Sequence, residues 1–335
     1  MIPKRNKQPS QAAPDNFALQ NYEFNFKQTT PDEFISIRIN GKNVASLGGL
    51  VVLTGKPKAR KSTFLHSIIA SSINYNTIYD ITATLPPDKK NVVLVDTEQS
   101  NYDLFKSMER LAYNLNTDIK NLSSLNFILY AARLLDSDDI IKLIDTILLN
   151  NRNIGLLCID SLLDLCEDIN DVSAAKKVIQ KIKYWLDTYN ITIISVIHQS
   201  KSTNFSLGHL GSFASRFCQS EIQVTKNEDL TSTLSAVYMR SDENFNPVSI
   251  EYNENTKNYQ QVTNGKTYNL EEINHRDIIN KVFAANNNHT YKSLKEALRG
   301  YYSDKSGYWV ENNLIPFLYE KRFITKHKNN IILVR

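Results

Sequence analysis

Gly55-Lys56-Pro57-Lys58-Ala59-Arg60-Lys61-Ser62-Thr63 follows the apolar run Leu50-Val51-Val52-Leu53-Thr54 and opens a helix-like pattern over 62–72. Strand, polar loop and helix in that order form the setting a phosphate-binding loop requires. Backbone N–H groups of such a loop curl around phosphate oxygens, and the helix that follows turns its positive end toward them. Lys61 would neutralise charge on the terminal phosphates, and the Ser62 hydroxyl would bind Mg²⁺. The pattern G-x-x-x-x-G-K-[ST] has a glycine where this chain has Arg60. Glycine suits that position because the backbone approaches the ligand closely and takes unusual torsions. Arg60 either turns its side chain outward or adds charge near the phosphates, and it points to slow hydrolysis.

Outward from this loop, four further apolar runs read as buried strands: Val92–Val95, Leu125–Tyr130, Leu156–Ile159 and Ile191–Ile197. Helix-like stretches over Asn101–Asn114, Ser137–Asn150 and Asp171–Tyr189 separate them. Alternation of this kind predicts βαβ units and a mostly parallel sheet, whose strands are apolar throughout because both faces are covered. Ligands bind beyond the carboxyl ends of such strands, and three strand ends carry chemistry there. The second ends in Asp96-Thr97-Glu98-Gln99, with Glu98 the candidate to deprotonate an attacking water. The strand Gly155-Leu156-Leu157-Cys158-Ile159 ends in Asp160-Ser161, and Asp160 would hold Mg²⁺ directly or through water. Ser195-Val196-Ile197-His198-Gln199 ends in Gln199, which could sense the terminal phosphate. His198 by itself reads as structural.

From about 220 to 262 the segments SEIQVTK, STLSAVYMR, VSIEYN and YQQV are short and alternating, as antiparallel edge strands are. Residues 1–20 are rich in Gln, Asn and Pro and read as disordered. A third region starts near 265, giving the order 1–20, 21–264 and 265–335. There, helix-like stretches over 271–286, 291–299 and 304–319 precede two short strands joined by KHKNN, the order of a winged helix. Pro316 would kink or shorten the third helix.

The 335 residues carry 39 Lys+Arg against 35 Asp+Glu, a net +4. The excess is local: residues 266–335 hold 12 basic and 7 acidic side chains, the first 265 hold 27 and 28. A basic terminal region suits a polyanionic partner or a solvated surface. Cys158, Cys166 and Cys218 form no C-x-x-C pair, so neither a zinc site nor a disulfide framework is indicated, and a reducing cytoplasm fits. No apolar run approaches the roughly 18–20 residues a membrane span needs.

With these pieces in place, residues 33–262 resemble the RecA-like ATPases, and among them the RepA-type plasmid replicative helicases and mobile-element ATPases. GKPKARKST, VVLVDTEQS, LLCIDS, SVIHQS, GHLGSFASRFCQSEIQVTK and VYMRSDENFNPVSIEYN carry the resemblance. It implies an α/β fold, a RecA-like P-loop NTPase core with a mostly parallel sheet and antiparallel edge strands, to which the winged helix is an addition. It further implies ATP and Mg²⁺ as ligands, Glu98 as general base, Asp160 on Mg²⁺ and Gln199 as sensor. Segment 200–216 corresponds to a mobile loop contacting single-stranded DNA, with Lys201, Ser202, Ser206, His209 and Ser212 as phosphate contacts. Arg240 matches an arginine finger acting on a neighbour's nucleotide within a homo-oligomer, expected to be a hexamer. The winged helix would bring Lys305, Lys326 and Lys328 to duplex DNA, or would contact protein instead. The expected function is a helicase on single-stranded DNA. Alternatives are a DNA-binding regulator that uses ATP as a switch, and a recombination ATPase.

Overall fold

The computed structural model describes residues 26, 33–199, 208–262, 278–279, 282–283, 288–302, 306–320, 323–327 and 330–333. The predicted disorder over 1–20 lies outside them. The chain divides into the unit Met1–Glu33 and the unit Phe34–Arg335, and all elements below belong to the second.

In chain order the elements are β1 (Ile35–Ile39), β2 (Lys42–Ser46), β3 (Leu50–Gly55), α1 (Lys61–Asn74), β4 (Ile81–Ala83), β5 (Asn91–Asp96), α2 (Asn101–Asn114) and β6 (Phe127–Ala131). There follow α3 (Ser137–Asn150), β7 (Ile154–Asp160), α4 (Val172–Tyr189), β8 (Thr192–His198), α5 (Gly208–Phe217), β9 (Ser220–Lys226) and β10 (Ser232–Met239). β11 (Val248–Asn253) and β12 (Asn258–Gln261) complete a nine-stranded sheet of order β12-β11-β10-β9-β3-β8-β7-β5-β6. β9, β3, β8, β7, β5 and β6 are parallel, and β10 to β12 extend the sheet as antiparallel strands.

The central strands are apolar because both of their faces are covered. Every residue of β3 and of β7 is buried. Alternate residues feed two cores: Val51, Leu53 and Leu94 face α1 and α2, while Val52, Val95 and Ile159 face α3 and α4. Side-chain caps begin the helices: Ser100 accepts from the Asp103 N–H, Asp136 from Asp139 and Asp171 from Ala174. Trp185 of α4 is wholly buried and donates its indole N–H to Asp145 Oδ1 on α3 at 2.8 Å.

Three features depart from the sequence expectation. β1, β2 and β4 form a separate antiparallel sheet of order β2-β1-β4. α5 occupies residues that the expected mobile loop over 200–216 included: Leu210 and Ala214 join the α3–α4 core, so 208–217 is helix, and the loop reading stands corrected there. Gly208 starts α5 at φ +69°, where a Cβ would lie 2.6 Å from the Ile169 carbonyl oxygen.

Beyond 278 the described residues hold α6 (Tyr291–Tyr301), α7 (Gly307–Trp309), a π-helical turn (Val310–Leu314), α8 (Ile315–Glu320) and the hairpin β13 (Ile324–His327)–β14 (Asn330–Leu333). Leu294, Leu298, Val310, Leu314, Leu318, Ile324 and Ile331 pack into an apolar cluster of their own. Pro316 does not end the helical run. It follows the π-helical turn, whose wider winding accommodates a residue that cannot donate to position i−4.

Candidate nucleotide site

The parallel strands bring β3, β5, β7 and β8 side by side with their carboxyl ends level: Gly55 pairs with His198, and Asp96 with Asp160. There a cavity of about 650 Å³ is lined by Lys58 to Thr63, Glu98, Gln99, Asp160 and His198, with Ser107 and Arg110 of α2 at its side. The loop is shaped by backbone. At Gly55 (φ +154°) an added Cβ would lie 2.5 Å from the Val224 carbonyl oxygen, so only glycine passes between β3 and β9.

Arg60 takes the left-handed conformation that glycine favours (φ +75°, ψ +32°). Its guanidinium donates to the Leu230 carbonyl and, at 3.3 Å, to Ser232 Oγ. The guanidinium carbon also lies 5.0 Å from the ring centroid of Tyr259. Of the two expectations for Arg60, the outward one is observed: the side chain is engaged by the edge strands.

Lys61 is buried, and its amine donates to the carbonyls of Gly55 (3.0 Å) and Lys56 (3.2 Å) and lies 3.1 Å from His198 Nδ1. Burial lowers the Lys61 pKa, against the pull of Asp160 and Glu98. His198 Nε2 is 2.6 Å from Glu98 Oε1. Burial alone would raise the Glu98 pKa, but the hydrogen bond and charge of His198, with the Lys61 charge, bring it below the usual value. A chain Lys61–His198–Glu98 thus crosses the cavity from the phosphate loop to the β5 end.

Ser62 Oγ donates to Asp160 Oδ2 at 2.8 Å. Burial raises the Asp160 pKa to about 7, helped by the carboxylates of Asp96 and Glu98 and opposed by Ser62 and Lys61. A buried carboxyl beside two others, paired with a hydroxyl, is an oxygen donor set suited to a hard divalent cation. Among the described residues no three His, Cys, Asp or Glu side chains cluster around a common point. Such an ion would therefore take its other ligands from water and phosphate, as Mg²⁺ does. Asp96 faces the loop after β5, accepting from the Glu98 and Gln99 N–H groups and from Gln99 Nε2. Gln99 Oε1 in turn accepts from Ser107 Oγ.

The remaining sequence candidates fall elsewhere. Gln199 is buried, with its amide 3.5 Å from Thr54 Oγ1 and 3.0 Å from the Gln223 amide. The strand-end residue that faces Lys61 and Glu98 is His198, which the sequence reading set aside. Arg240 follows β10 at the end where Met239 pairs with Ser220, and Ser220 pairs across β9 to Val51. That is the amino-terminal edge of the sheet, opposite the phosphate loop, so any nucleotide it touches belongs to another copy. Its guanidinium donates to the Arg216 carbonyl. His209 is exposed on α5 and stacks on Phe213, and Ser212 is half-buried on the same helix. Lys326 is exposed on β13. Lys201, Ser202, Ser206, Lys305 and Lys328 lie outside the described residues.

Sheet order, glycine-bounded loop, lysine, serine–aspartate pair and strand-end glutamate together define a P-loop ATPase of RecA-like fold. Residues 13–204 match the model of the AAA_25 family, described as an AAA domain. This is more than half of the chain, and the protein belongs to that family. No curated protein matches the chain. Two solved structures similar in fold are the ATPase domain of a helicase (12% identity, TM-score 0.46, covering 64% of this chain and 84% of that one) and the "RadB recombinase" (17%, 0.46, 64% and 91%). No helix among the described residues is long and apolar enough to cross a membrane.

Proposed function

We propose that the protein is an oligomeric ATP hydrolase that acts on single-stranded DNA, a helicase of the RepA type. The observation that carries this reading is the Lys61–His198–Glu98 chain, because it joins the phosphate loop to the catalytic carboxylate through the last residue of β8. β8 leads directly into segment 200–207 and then α5, the region proposed to contact DNA. ATP would enter with its phosphates on the loop N–H groups. Lys61 would leave the carbonyls of Gly55 and Lys56 for the terminal phosphate oxygens. Ser62 and Asp160 would hold Mg²⁺, which supplies charge neutralisation on those oxygens when bound. Glu98, ionised, would take a proton from the attacking water as the new P–O bond forms and the bond to the leaving diphosphate breaks. His198 would donate to the terminal phosphate or to Glu98, but not through the same N–H. Its position would therefore report nucleotide state to the segment beyond β8.

Arg240 is proposed to approach a neighbouring copy, in a ring expected to be a hexamer. The helices and hairpin beyond 278 are proposed to form a winged helix that contacts duplex DNA or protein. The Arg60 tether favours one further reading, slow turnover with ATP acting as a switch.

Sedimentation with ATP and a forked DNA, followed by an unwinding assay, tests the proposal. A ring that unwinds the fork and loses both properties on Lys61→Ala is expected. A monomer that neither assembles nor unwinds would refute it, and ATP-dependent duplex binding without turnover would select the switch.

A further inference from the structure

α4 and α5 pack against one another, and the groove between them gathers positive charge. Lys176, Gln180 and Lys183 stand at positions i, i+4 and i+7 of α4 and share one face. α5 adds Phe213, Arg216 and Phe217, the end of β10 adds Arg240, and together with Ile179 they line a cavity of about 390 Å³. Lys176, Lys183, Arg216 and Arg240 are all exposed. None of the four has a carboxylate within 4.0 Å among the described residues, and no acidic side chain lines the groove. Lys181, on the adjoining face of α4, does have such a partner in Asp145 at 2.7 Å. Cations gathered without counter-charges repel one another, and a bound polyanion relieves that repulsion.

The groove also presents rings. Lys183 Nζ lies 4.8 Å from the Phe217 centroid, Arg216 lies 5.9 Å from that of Phe213, and His209 stacks on Phe213 at 6.1 Å. Cations interleaved with π-faces suit a ligand that carries phosphates and flat bases together. The charge forms a stripe. Lys176 and Lys183 are separated by about 10 Å along the helix axis, at roughly 1.5 Å per residue. That spacing spans successive phosphates of a strand better than the single terminal phosphate an arginine finger would meet.

We propose that the α4–α5 groove, with Lys176, Lys183, Arg216 and Arg240, binds the backbone of single-stranded DNA. This adds a site to the DNA-acting reading given above and rests on that reading.

The test is a fluorescence-anisotropy titration of a labelled thymidine oligonucleotide with the full chain over a range of salt concentrations. It compares wild type, Lys176→Glu/Lys183→Glu, Lys176→Arg/Lys183→Arg and the exposed control pair Lys90→Glu/Lys120→Glu. The glutamate pair in the groove is expected to weaken binding tenfold or more. Its log–log salt slope should become shallower by about 1.4, at about 0.7 per lost phosphate contact. The arginine pair and the control pair should keep the wild-type slope, and all four proteins should bind an ATP analogue equally. A groove variant with the wild-type slope overturns the inference while leaving the DNA-acting reading intact. So does one whose only loss is self-association or affinity for an acidic peptide. A wild type that does not bind the oligonucleotide overturns both.

Discussion

Restoring the consensus glycine at position 60 is expected to weaken this phosphate loop. An L-residue in the left-handed region carries roughly 1–2 kcal/mol of strain, and Arg60→Gly relieves it. The substitution also removes the charge-assisted hydrogen bonds to the Leu230 carbonyl and Ser232 Oγ, the second of them long at 3.3 Å. Bonds involving a charged group contribute about 1.5–3 kcal/mol when well formed. We therefore take about 2–3 kcal/mol for the two together. The contact with Tyr259 adds about 0.5–1 kcal/mol, and glycine adds about 0.5–1 kcal/mol of backbone freedom to be lost on ordering. The balance is a net loss of about 1.5–3 kcal/mol. Because the loop must be ordered to wrap phosphates, this loss appears in nucleotide affinity as roughly a 10- to 100-fold weakening. Isothermal titration with a non-hydrolysable ATP analogue measures it. Ser232→Ala and Tyr259→Leu, which keep Arg60, should each reproduce part of the effect. Equal or tighter binding by Arg60→Gly would refute the reasoning and reduce Arg60 to a tolerated substitute for glycine.

Other consequences are as direct. His198→Ala removes the link between Lys61 and Glu98, so turnover should fall about 100-fold while analogue binding changes only a few-fold, read by steady-state kinetics beside calorimetry. His66 is buried, its Nε2 has no hydrogen-bond partner, and burial with the nearby Arg110 charge lowers its pKa to about 4. The unfolded chain therefore takes up this proton first: stability is unaffected above about pH 6.5 and falls by up to about 3 kcal/mol as pH drops to 4. Urea melts of wild type and His66→Gln across that range should diverge accordingly. Asp145→Ala leaves the buried Trp185 indole N–H unpaired and should lower stability by about 1–3 kcal/mol. Asp145→Asn, which keeps an acceptor oxygen, should lose less in the same denaturation assay.

What could be read from the sequence follows from where the stabilising contacts lie. The parallel strands were legible because burial on both faces makes them continuous apolar runs, and the α2 and α3 bounds because Ser100 and Asp136 cap them. Lys61, Ser62, Glu98 and Asp160 were legible because the chemistry of the loop and of the strand ends is local. The β2-β1-β4 sheet was not, since KNVAS and ITA are short and their pairing is set by distant partners. α5 was missed because GHLGSFASRF carries two glycines and two serines. Burial of Leu210 and Ala214 against α4 outweighs that weak helix propensity. The choice between His198 and Gln199 was beyond the sequence for a geometric reason. Successive strand residues point to opposite faces, and only the assembled sheet shows which one meets the phosphate loop.

The central claim, that Glu98 drives ATP hydrolysis coupled to a DNA strand, is tested most directly by the rate of phosphate release with and without single-stranded DNA. The comparison is between wild type and Glu98→Gln. The account predicts stimulation of the wild type by DNA and a loss of about 100-fold or more in the variant, with analogue affinity retained. Hydrolysis that is indifferent to DNA, or that survives the Glu98→Gln change, would contradict it.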